Sequence, residues 1–390
     1  MAFAGEVSPK EEDMAKIDEL FKMMVEKGAS DLHLSAGSAP LLRLDGDIAP
    51  TGMAEMSNED CQNLIFEILT EKQKRLFIDN WELDCSYSLE NVGRFRVNVF
   101  MQRKGMGAVM RVIPTKIKTA EELGLPPEVM QVINVHKGLI CVTGPTGSGK
   151  STTLAALIDH INRNESAHIL TIEDPIEFVH PNIKSLVNQR EVGGHTKSFA
   201  NALKAALRED PDIILVGEMR DLETIQLAMT AAETGHLVFG TLHTNNAPKT
   251  VDRIIDVFPQ EQQAQIRVML SESLRGVIAQ GLLPKIGGGR VAAIEILVNT
   301  KAVANLIREG KTFQIPSAMQ TGKREGMVTH ESTIEKLIAE GKIEKKVGMD
   351  FLGKGETPAQ AAAAAAEKAA AAPAPAKPMG SLADRFKKTS

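Results

Sequence analysis

One stretch of the chain has the residue types and spacing of a phosphate-binding loop. It fits the pattern G-x-x-x-x-G-K-[ST] at each defined position: Gly144-Pro145-Thr146-Gly147-Ser148-Gly149-Lys150-Ser151. Glycines let the backbone turn its N–H groups towards phosphate oxygens, and a following helix adds its positive dipole. The lysine of such a loop reaches the β- and γ-phosphates, and the final hydroxyl holds Mg²⁺. These eight residues and Thr152 therefore predict a nucleoside triphosphate site.

The segments on either side of the loop support this prediction. Residues 139–142 form a short apolar run, which is typical of a buried strand. Residues 152–160 place Leu154, Leu157 and Ile158 at helical spacing. A strand before the loop and a helix after it are the context that a phosphate-binding loop requires.

Carboxylates follow two other predicted strands. Residues 168–172 lead into Glu173, Asp174 and Glu177, and the apolar residues 213–216 lead into Glu218. The second segment resembles a Walker B strand, although Gly217 replaces its usual aspartate. Hydrolysis needs one acid near Mg²⁺ and one that orients water, and carboxylates at strand ends face the nucleotide. Glu177 and Glu218 are the two candidates, with a solvated acidic loop as the alternative for the first cluster.

A histidine lies directly after the next predicted strand, residues 236–242. His243 is followed by polar residues and by a predicted helix. A histidine at this position can sense a γ-phosphate by hydrogen bonding. A helix-capping loop explains Asn245 and Asn246 well but does not explain His243.

The N-terminal region is predicted to be an α+β domain. Helices are predicted from a cap at Ser8 to Gly28, at residues 57–69, and from Thr70, which forms a capping box with Gln73. Strands are predicted at residues 30–34, 41–44, 83–89, 94–101 and 108–113. For His33, on the first of these strands, a structural role is favoured over a site role.

Three arginines lie on the strands of this predicted domain. Alternation in residues 94–101 places Phe95, Val97, Val99 and Met101 on one face and Arg94, Arg96 and Asn98 on the other. Arg111 lies on the next strand. Solvated strand faces and arginines presented to a neighbour's phosphates explain this pattern equally well.

The composition changes twice along the chain. We assign residues 1–112 to the first domain, 113–120 to a polar linker, 121–355 to a parallel α/β domain, and 356–390 to an Ala- and Pro-rich disordered tail. A short docking helix at residues 381–390 is the alternative for the end of the tail. One amphipathic helix, ended by Gly281, is predicted from a stripe of Ile266, Met269, Leu270, Leu274, Val277 and Ile278.

The bulk properties exclude several classes of protein. A net charge of −5 argues against broad nucleic-acid binding. Cys61, Cys85 and Cys141 are scattered without a C-x-x-C pair, which argues against a zinc site and a disulfide framework and fits a reducing cytosol. No apolar run reaches the roughly 18 residues of a membrane span, and a signal-peptide core is absent from the N-terminus. A role at a membrane would therefore depend on partners.

Together these segments resemble the secretion ATPase superfamily, and closely the PilT family of type IV pilus retraction motors. The resemblance extends from about Asp18 to Ile343. The motifs that carry it are Ser30-Asp31-Leu32-His33-Leu34-Ser35, Gly93-Arg94-Phe95-Arg96-Val97-Asn98, the phosphate-binding loop, and residues 171–177, 213–218 and 235–243. It implies a cytoplasmic homohexamer that uses ATP and Mg²⁺, in which a PAS-like domain precedes a RecA-like ATPase domain. ATP would lie between these domains, and hydrolysis would move one against the other.

The resemblance also assigns roles to matching positions. It implies that Glu177 activates water and that Glu218 supports Mg²⁺, directly or through water, together with Ser151. Arg96 and Arg111 would contact phosphates, and His243 would sense the γ-phosphate. The implied partners are an inner-membrane platform protein of the pilus machine and a second retraction ATPase, with no nucleic acid.

One motif departs from the family pattern. The retraction motif Ala-Ile-Arg-Asn-Leu-Ile-Arg-Glu occurs here as Ala302-Val303-Ala304-Asn305-Leu306-Ile307-Arg308-Glu309, with Ala304 in place of an arginine. Pilus assembly ATPases carry a four-cysteine zinc insertion and an extra N-terminal domain, and this chain shows neither. Retraction is therefore favoured over assembly. The alternatives are an accessory PilU-type ATPase or secretion-system homologue, a nucleic-acid translocase, and a non-hydrolysing regulatory ring.

Overall fold

The computed structural model describes residues 15–44, 46–113 and 116–354. The helix start predicted at Ser8, part of the predicted linker, and the predicted tail at 356–390 lie outside the described residues. The described chain forms two compact units. The larger comprises residues 15–282 and 292–329, and the smaller comprises residues 283–291 and 330–354.

The N-terminal part of the larger unit contains an antiparallel sheet of six strands, the first sheet. Its elements are α1 (Lys16–Glu26), β1 (Asp31–Ser35), β2 (Leu41–Leu44), β3 (Asp47–Pro50), α2 (Asn58–Glu67), α3 (Glu71–Asn80), β4 (Glu82–Leu89), β5 (Gly93–Gln102) and β6 (Gly105–Ile113). The strand order is β3-β2-β1-β6-β5-β4. This arrangement confirms the predicted strands, and the predicted capping box of Thr70 with Gln73 is also present.

Alternation along β5 produces the core of this sheet. Phe95, Val97 and Val99 are fully buried, and they pack with Phe21 of α1. Met101 was predicted to lie on the same buried face, but 45 % of it is exposed. The alternation of buried residues along β5 therefore ends at Val99.

The rest of the larger unit is organised on a sheet of seven strands, the second sheet. In chain order its elements are α4 (Pro127–Ile133), β7 (Gly138–Thr143), α5 (Lys150–Asn164), β8 (His168–Glu173), β9 (Leu186–Glu191), α6 (Phe199–Ala206), β10 (Ile213–Val216), α7 (Leu222–Glu233), β11 (Leu237–Leu242), α8 (Ala247–Asp256), α9 (Gln260–Ser273), β12 (Leu274–Pro284), β13 (Arg290–Val298), α10 (Lys301–Arg308) and α11 (Ile315–Thr321). The strand order is β13-β12-β7-β11-β10-β8-β9. All pairs from β12 to β9 are parallel.

Helices cover both faces of the second sheet, which explains the uninterrupted apolar character of its strands. Every residue of β7 is buried. Leu139 and Cys141 face the core that includes α7 and α9, whereas Ile140 and Val142 face the core that includes α4 and α5. The phosphate-binding loop therefore starts from a strand that is fixed on both sides.

The prediction of one helix carrying the stripe from Ile266 to Ile278 was wrong. Helix α9 ends at Ser273, and Leu274, Val277 and Ile278 belong to β12, which pairs in parallel with β7. A strand buried on both faces is apolar at nearly every position, so its residues also match a helical period. The error matters because β12 contributes to the candidate site.

The smaller unit is built around α12 (His330–Ala339) and α13 (Lys345–Phe351). The ring of His330 packs edge-on against Phe351 with centroids 5.2 Å apart, and Gly348 lies close to Ile334. The backbone N–H of Ile286 donates to the carbonyl of Lys342 at 2.9 Å.

Candidate active site

The phosphate-binding loop connects β7 to α5, as predicted. Gly144 and Gly149 adopt positive φ angles of 148° and 88°, which side chains disfavour. A Cβ atom on Gly144 would lie 2.2 Å from the carbonyl oxygen of Gln280 and 2.5 Å from Ser148 Oγ. Glycine is therefore required at position 144 both by the backbone conformation and by the close approach of β12.

Lys150 is the first residue of α5, and its amine folds back over the loop. Its Nζ donates to the carbonyl of Gly144 at 2.8 Å and to that of Pro145 at 3.1 Å. Ser148 Oγ is buried and has no hydrogen-bond partner among the described residues. Because unpaired buried hydroxyls are costly, this cradle fits an acceptor-rich group such as a phosphate.

A glutamine from β12 holds the base of the loop. The Gln280 side chain is buried, with only 4 % of the residue exposed. Its Nε2 donates to the carbonyl of Ser148 at 2.7 Å, and its Oε1 accepts from Thr153 Oγ1 at 2.7 Å. Gln280 thereby ties the loop to the first turn of α5 and keeps both polar groups satisfied.

Two carboxylates from neighbouring strands act on Lys150. Glu218 follows β10 and Glu177 follows β8, and these two strands pair in parallel. Burial lowers the pKa of Lys150, whereas the negative charges of Glu218 and Glu177 oppose that shift. The structure thus brings both sequence-predicted acids to the electrostatic neighbourhood of the loop lysine.

Glu218 is held by two basic side chains. It forms an ion pair with Arg220, and the Nε2 of His243 lies 2.9 Å from its Oε1. Burial by itself raises the pKa of Glu218, but Arg220 and His243 together hold it below its usual value. Glu218 is therefore a carboxylate at neutral pH, which is the state that a magnesium-side acid requires.

The other acid lies on a segment that we call the acidic loop, residues 174–178. Glu177 itself is exposed, whereas Ile176 before it is buried. At the start of the loop, Glu173 Oε1 accepts from Thr171 Oγ1 at 2.6 Å and from Gln189 Nε2 at 3.1 Å. Burial raises the pKa of Glu173. Of the cluster's glutamates, Glu177 is thus the one open to a water molecule.

The two arginines of the first sheet have different surroundings. Arg96 and Arg111 are directly opposite each other on β5 and β6, and both are exposed. Burial raises the pKa of Asp174 in the acidic loop, and the charge of Arg96 opposes this. Arg111 instead donates from its Nε to Asp31 Oδ1 at 2.7 Å. Both arginines are paired within their own sheet, Arg96 with Asp84 at 3.7 Å and Arg111 with Asp31, but the charge of Arg96 also acts on the acidic loop.

Within the described residues, no three His, Cys, Asp or Glu side chains form a group that would hold a metal. Mg²⁺ in nucleotide sites is held by few protein ligands, together with phosphate oxygens and water. The hydroxyl of Ser151, half-buried on the first turn of α5, and the ionised Glu218 suit such an ion.

Comparisons with known proteins agree with this arrangement. The sequence profile of the type II/IV secretion system protein family matches residues 10–288. A type IV pilus retraction ATPase, PilT of Pseudomonas aeruginosa, is 56 % identical over 85 % of this chain and 96 % of its own length. The chain belongs to the PilT family of type II/IV secretion ATPases. The type IV pilus ATPase PilU of the same organism is 41 % identical over 84 % of this chain and 86 % of its own.

The fold is also that of the PilT family. A crystal structure of the pilus retraction motor PilT with bound ADP matches with a TM-score of 0.82 and 51 % identity. The match covers 88 % of this chain and 98 % of that structure.

Among the described residues, no helix is both long enough and apolar enough to cross a membrane.

The roles of the predicted site residues stay predictions, and three residues around them were not predicted from the sequence. Asn246 caps α8, as the capping alternative predicted, and His243 is left free to contact Glu218. Gln280 was missed because it lies within the segment taken for a helix. Arg220 and Glu191 were missed because no local motif marks them.

Proposed function

We propose that this chain is an ATP-hydrolysing motor that retracts type IV pili and so drives twitching motility. The carrying observation is that Lys150 lies within electrostatic reach of both Glu177 and Glu218. This supports a site in which the amine of Lys150 binds phosphate, Glu177 acts as base and Glu218 supports the metal ion. The relatives that are named for pilus retraction match this chain over nearly their whole length. They support the proposal that ATP hydrolysis by this chain is used to retract pili.

In this proposal ATP binds in the loop of residues 144–152, with its phosphates on the backbone and on Lys150. Mg²⁺, held by Ser151 and by Glu218 directly or through water, would neutralise charge on the phosphates. Glu177 would accept a proton from the attacking water, since it is the exposed glutamate of the acidic loop and its charge acts on Lys150. His243, held at Glu218, would respond to the γ-phosphate.

The domain organisation and assembly are parts of the same proposal. Residues 1–112 would form a PAS-like domain, 113–120 a linker, 121–355 a RecA-like domain and 356–390 a tail. The chain would form a cytoplasmic homohexamer at the inner face of the membrane, bound to a platform protein of the pilus machine and to a second retraction ATPase. Arg96 and Arg111 would present positive charge to phosphates from the PAS-like domain.

A gene deletion with matched complementation tests this function. We expect deletion to leave excess surface pili and abolish twitching, and the wild-type gene to restore both. A Lys150→Ala gene should fail to restore either, although the protein accumulates to the same level. Bald cells would instead indicate an assembly motor, and unchanged pili with normal twitching would exclude a primary retraction motor.

A further inference from the structure

Glu191, the last residue of β9, has no role in the chemistry described above, yet its side chain is unusually well bonded. It is 8 % exposed. Its Oε2 accepts from Arg94 Nη2 at 2.6 Å and from the backbone N–H of Ile176 at 3.1 Å. Its Oε1 accepts from Ser86 Oγ at 3.0 Å. One buried carboxylate therefore holds three donors at once.

These donors come from two different parts of the molecule. Arg94 and Ser86 lie on β5 and β4 of the first sheet, and Arg94 also donates to Ser86 Oγ at 2.8 Å. Ile176 belongs to the acidic loop of the second sheet and directly precedes Glu177. Glu191 is thus bonded both to the first sheet and to the peptide unit next to the candidate base.

The strength and placement of this link give it consequences for catalysis. Buried, charge-assisted hydrogen bonds are stronger and more directional than those between neutral groups. A displacement of about 1 Å in a catalytic group can cost roughly a hundredfold in rate. Because Arg94 and Ile176 share one oxygen of Glu191, a shift of the first sheet would disturb the acceptor that positions Ile176 and Glu177.

We propose that Glu191 is a positioning residue that sets Glu177 for hydrolysis only while Arg94 of the first sheet is bound to it. The Arg94–Glu191 pair would make turnover depend on the contact between the two sheets, whereas ATP binding would not depend on it. This inference rests on the proposed role of Glu177 as the base.

Purified full-length variants test the link through its effect on kcat and KM separately. Glu191→Gln keeps an acceptor for Ile176 but removes the negative charge that holds Arg94. Arg94→Gln removes the positive charge of the same ion pair. We expect each variant to lower the kcat for ATP hydrolysis about tenfold and to leave KM within about twofold. The double variant should be no slower than the slower single one, since both remove the same link. Arg94→Lys should recover part of the loss.

The neighbouring ion pair of β9 supplies a matched control. Arg190 Nη1 lies 2.8 Å from Glu209 Oε1, close to Glu191 in sequence but bonded to a different side chain. Glu209→Gln should keep kcat within about twofold of the wild type. An equal loss in this control, or normal kcat in folded Glu191→Gln, would overturn the proposal.

Two further outcomes separate this proposal from the one on which it rests. If Glu177→Gln is inactive while Glu191→Gln and Arg94→Gln are normal, the positioning role is wrong and the base assignment stands. If Glu177→Gln turns over normally, the base assignment fails. Should Glu191→Gln not fold, Arg94→Gln decides, because it leaves Glu191 bonded to Ile176 and Ser86. Losses that add fully in the double variant would also contradict a shared link.

Discussion

The two halves of the candidate site are held in place by different means. The phosphate-binding loop is fixed within the second sheet, by β7 before it, α5 after it and Gln280 beside it. The acidic loop is bonded to Gln189 and Glu191 of β9 in the same sheet, and through Glu191 it is also linked to Arg94 of the first sheet. In the proposed function, a nucleotide would bind to a surface that the second sheet forms by itself, whereas the group expected to activate water would also depend on the first sheet. This difference suits a motor, because binding and hydrolysis can occur at different stages of a movement.

In the phosphate-binding half, the largest expected effect comes from removing the amine of Lys150. Lys150→Ala takes away the positive charge on which Glu177 and Glu218 act, and with it the proposed stabilisation of the transferred phosphate. We expect kcat/KM for ATP to fall between about 10²- and 10³-fold, as for other charge-stabilising groups. Steady-state ATPase assays measure this value. A loss in kcat/KM of less than about tenfold, or about 1.4 kcal/mol, would contradict a phosphate-binding role for Lys150.

The next prediction concerns how the stability of the folded chain depends on pH, through a histidine beside the acidic loop. His180 follows that loop and is buried, and burial lowers its pKa from 6.5 to about 4, against the opposing charge of Asp159. Between these values the unfolded chain binds more protons than the folded one, so stability falls as the pH falls. The difference of about 2.5 units corresponds to about 3 kcal/mol.

Denaturant unfolding of the wild type and of His180→Asn checks this pH dependence. Between about pH 7 and about pH 4.5 the wild type should lose about 2 kcal/mol or more beyond the loss of the variant. The comparison uses the slope with pH, so a uniform destabilisation of the variant does not affect it. Parallel curves would show that His180 does not titrate as expected.

The smallest expected effects come from one glutamine substitution in each half of the site, and they differ in whether KM or kcat changes. Gln280→Leu frees the carbonyl of Ser148 and should raise the KM for ATP about tenfold with little change in kcat. Gln189 Nε2 donates to Glu173 Oε1 and to the carbonyl of Phe178 at 2.8 Å, beside the acidic loop. Gln189→Leu should therefore lower kcat several-fold with little change in KM. If both variants change the same parameter, the division of the site into two halves is wrong.

Sequence patterns located the parts of this molecule whose structure is determined locally. The phosphate-binding loop, the strand before Glu218 and the capping box at Thr70 each depend on residues within a few positions, and all appear where predicted. The segment after Ser273 was misassigned because a strand buried on both faces has no alternation to distinguish it from a helix. Strand β9, at the opposite edge of the same sheet, was not predicted at all.

The residues that sequence analysis missed act over long distances. Gln280 contacts a loop carbonyl 132 positions away, and Glu191 pairs with an arginine 97 positions away. Neither contact follows a spacing rule, because tertiary packing determines which distant segments of the chain meet. The roles of Glu177, Arg96 and Arg111 stay predictions, since proximity alone does not establish a step in the chemistry.

Substitution of the candidate base tests the central claim most directly. Glu177→Gln keeps the shape of the side chain and removes its basicity. We expect the variant to bind ATP with an affinity within about threefold of the wild type and to hydrolyse it about 10³-fold more slowly, within the range for loss of a general base. Equilibrium binding of ATP and single-turnover hydrolysis by the same purified protein measure both quantities. Near-normal turnover would contradict the account, because it would show that hydrolysis does not require the carboxylate of Glu177.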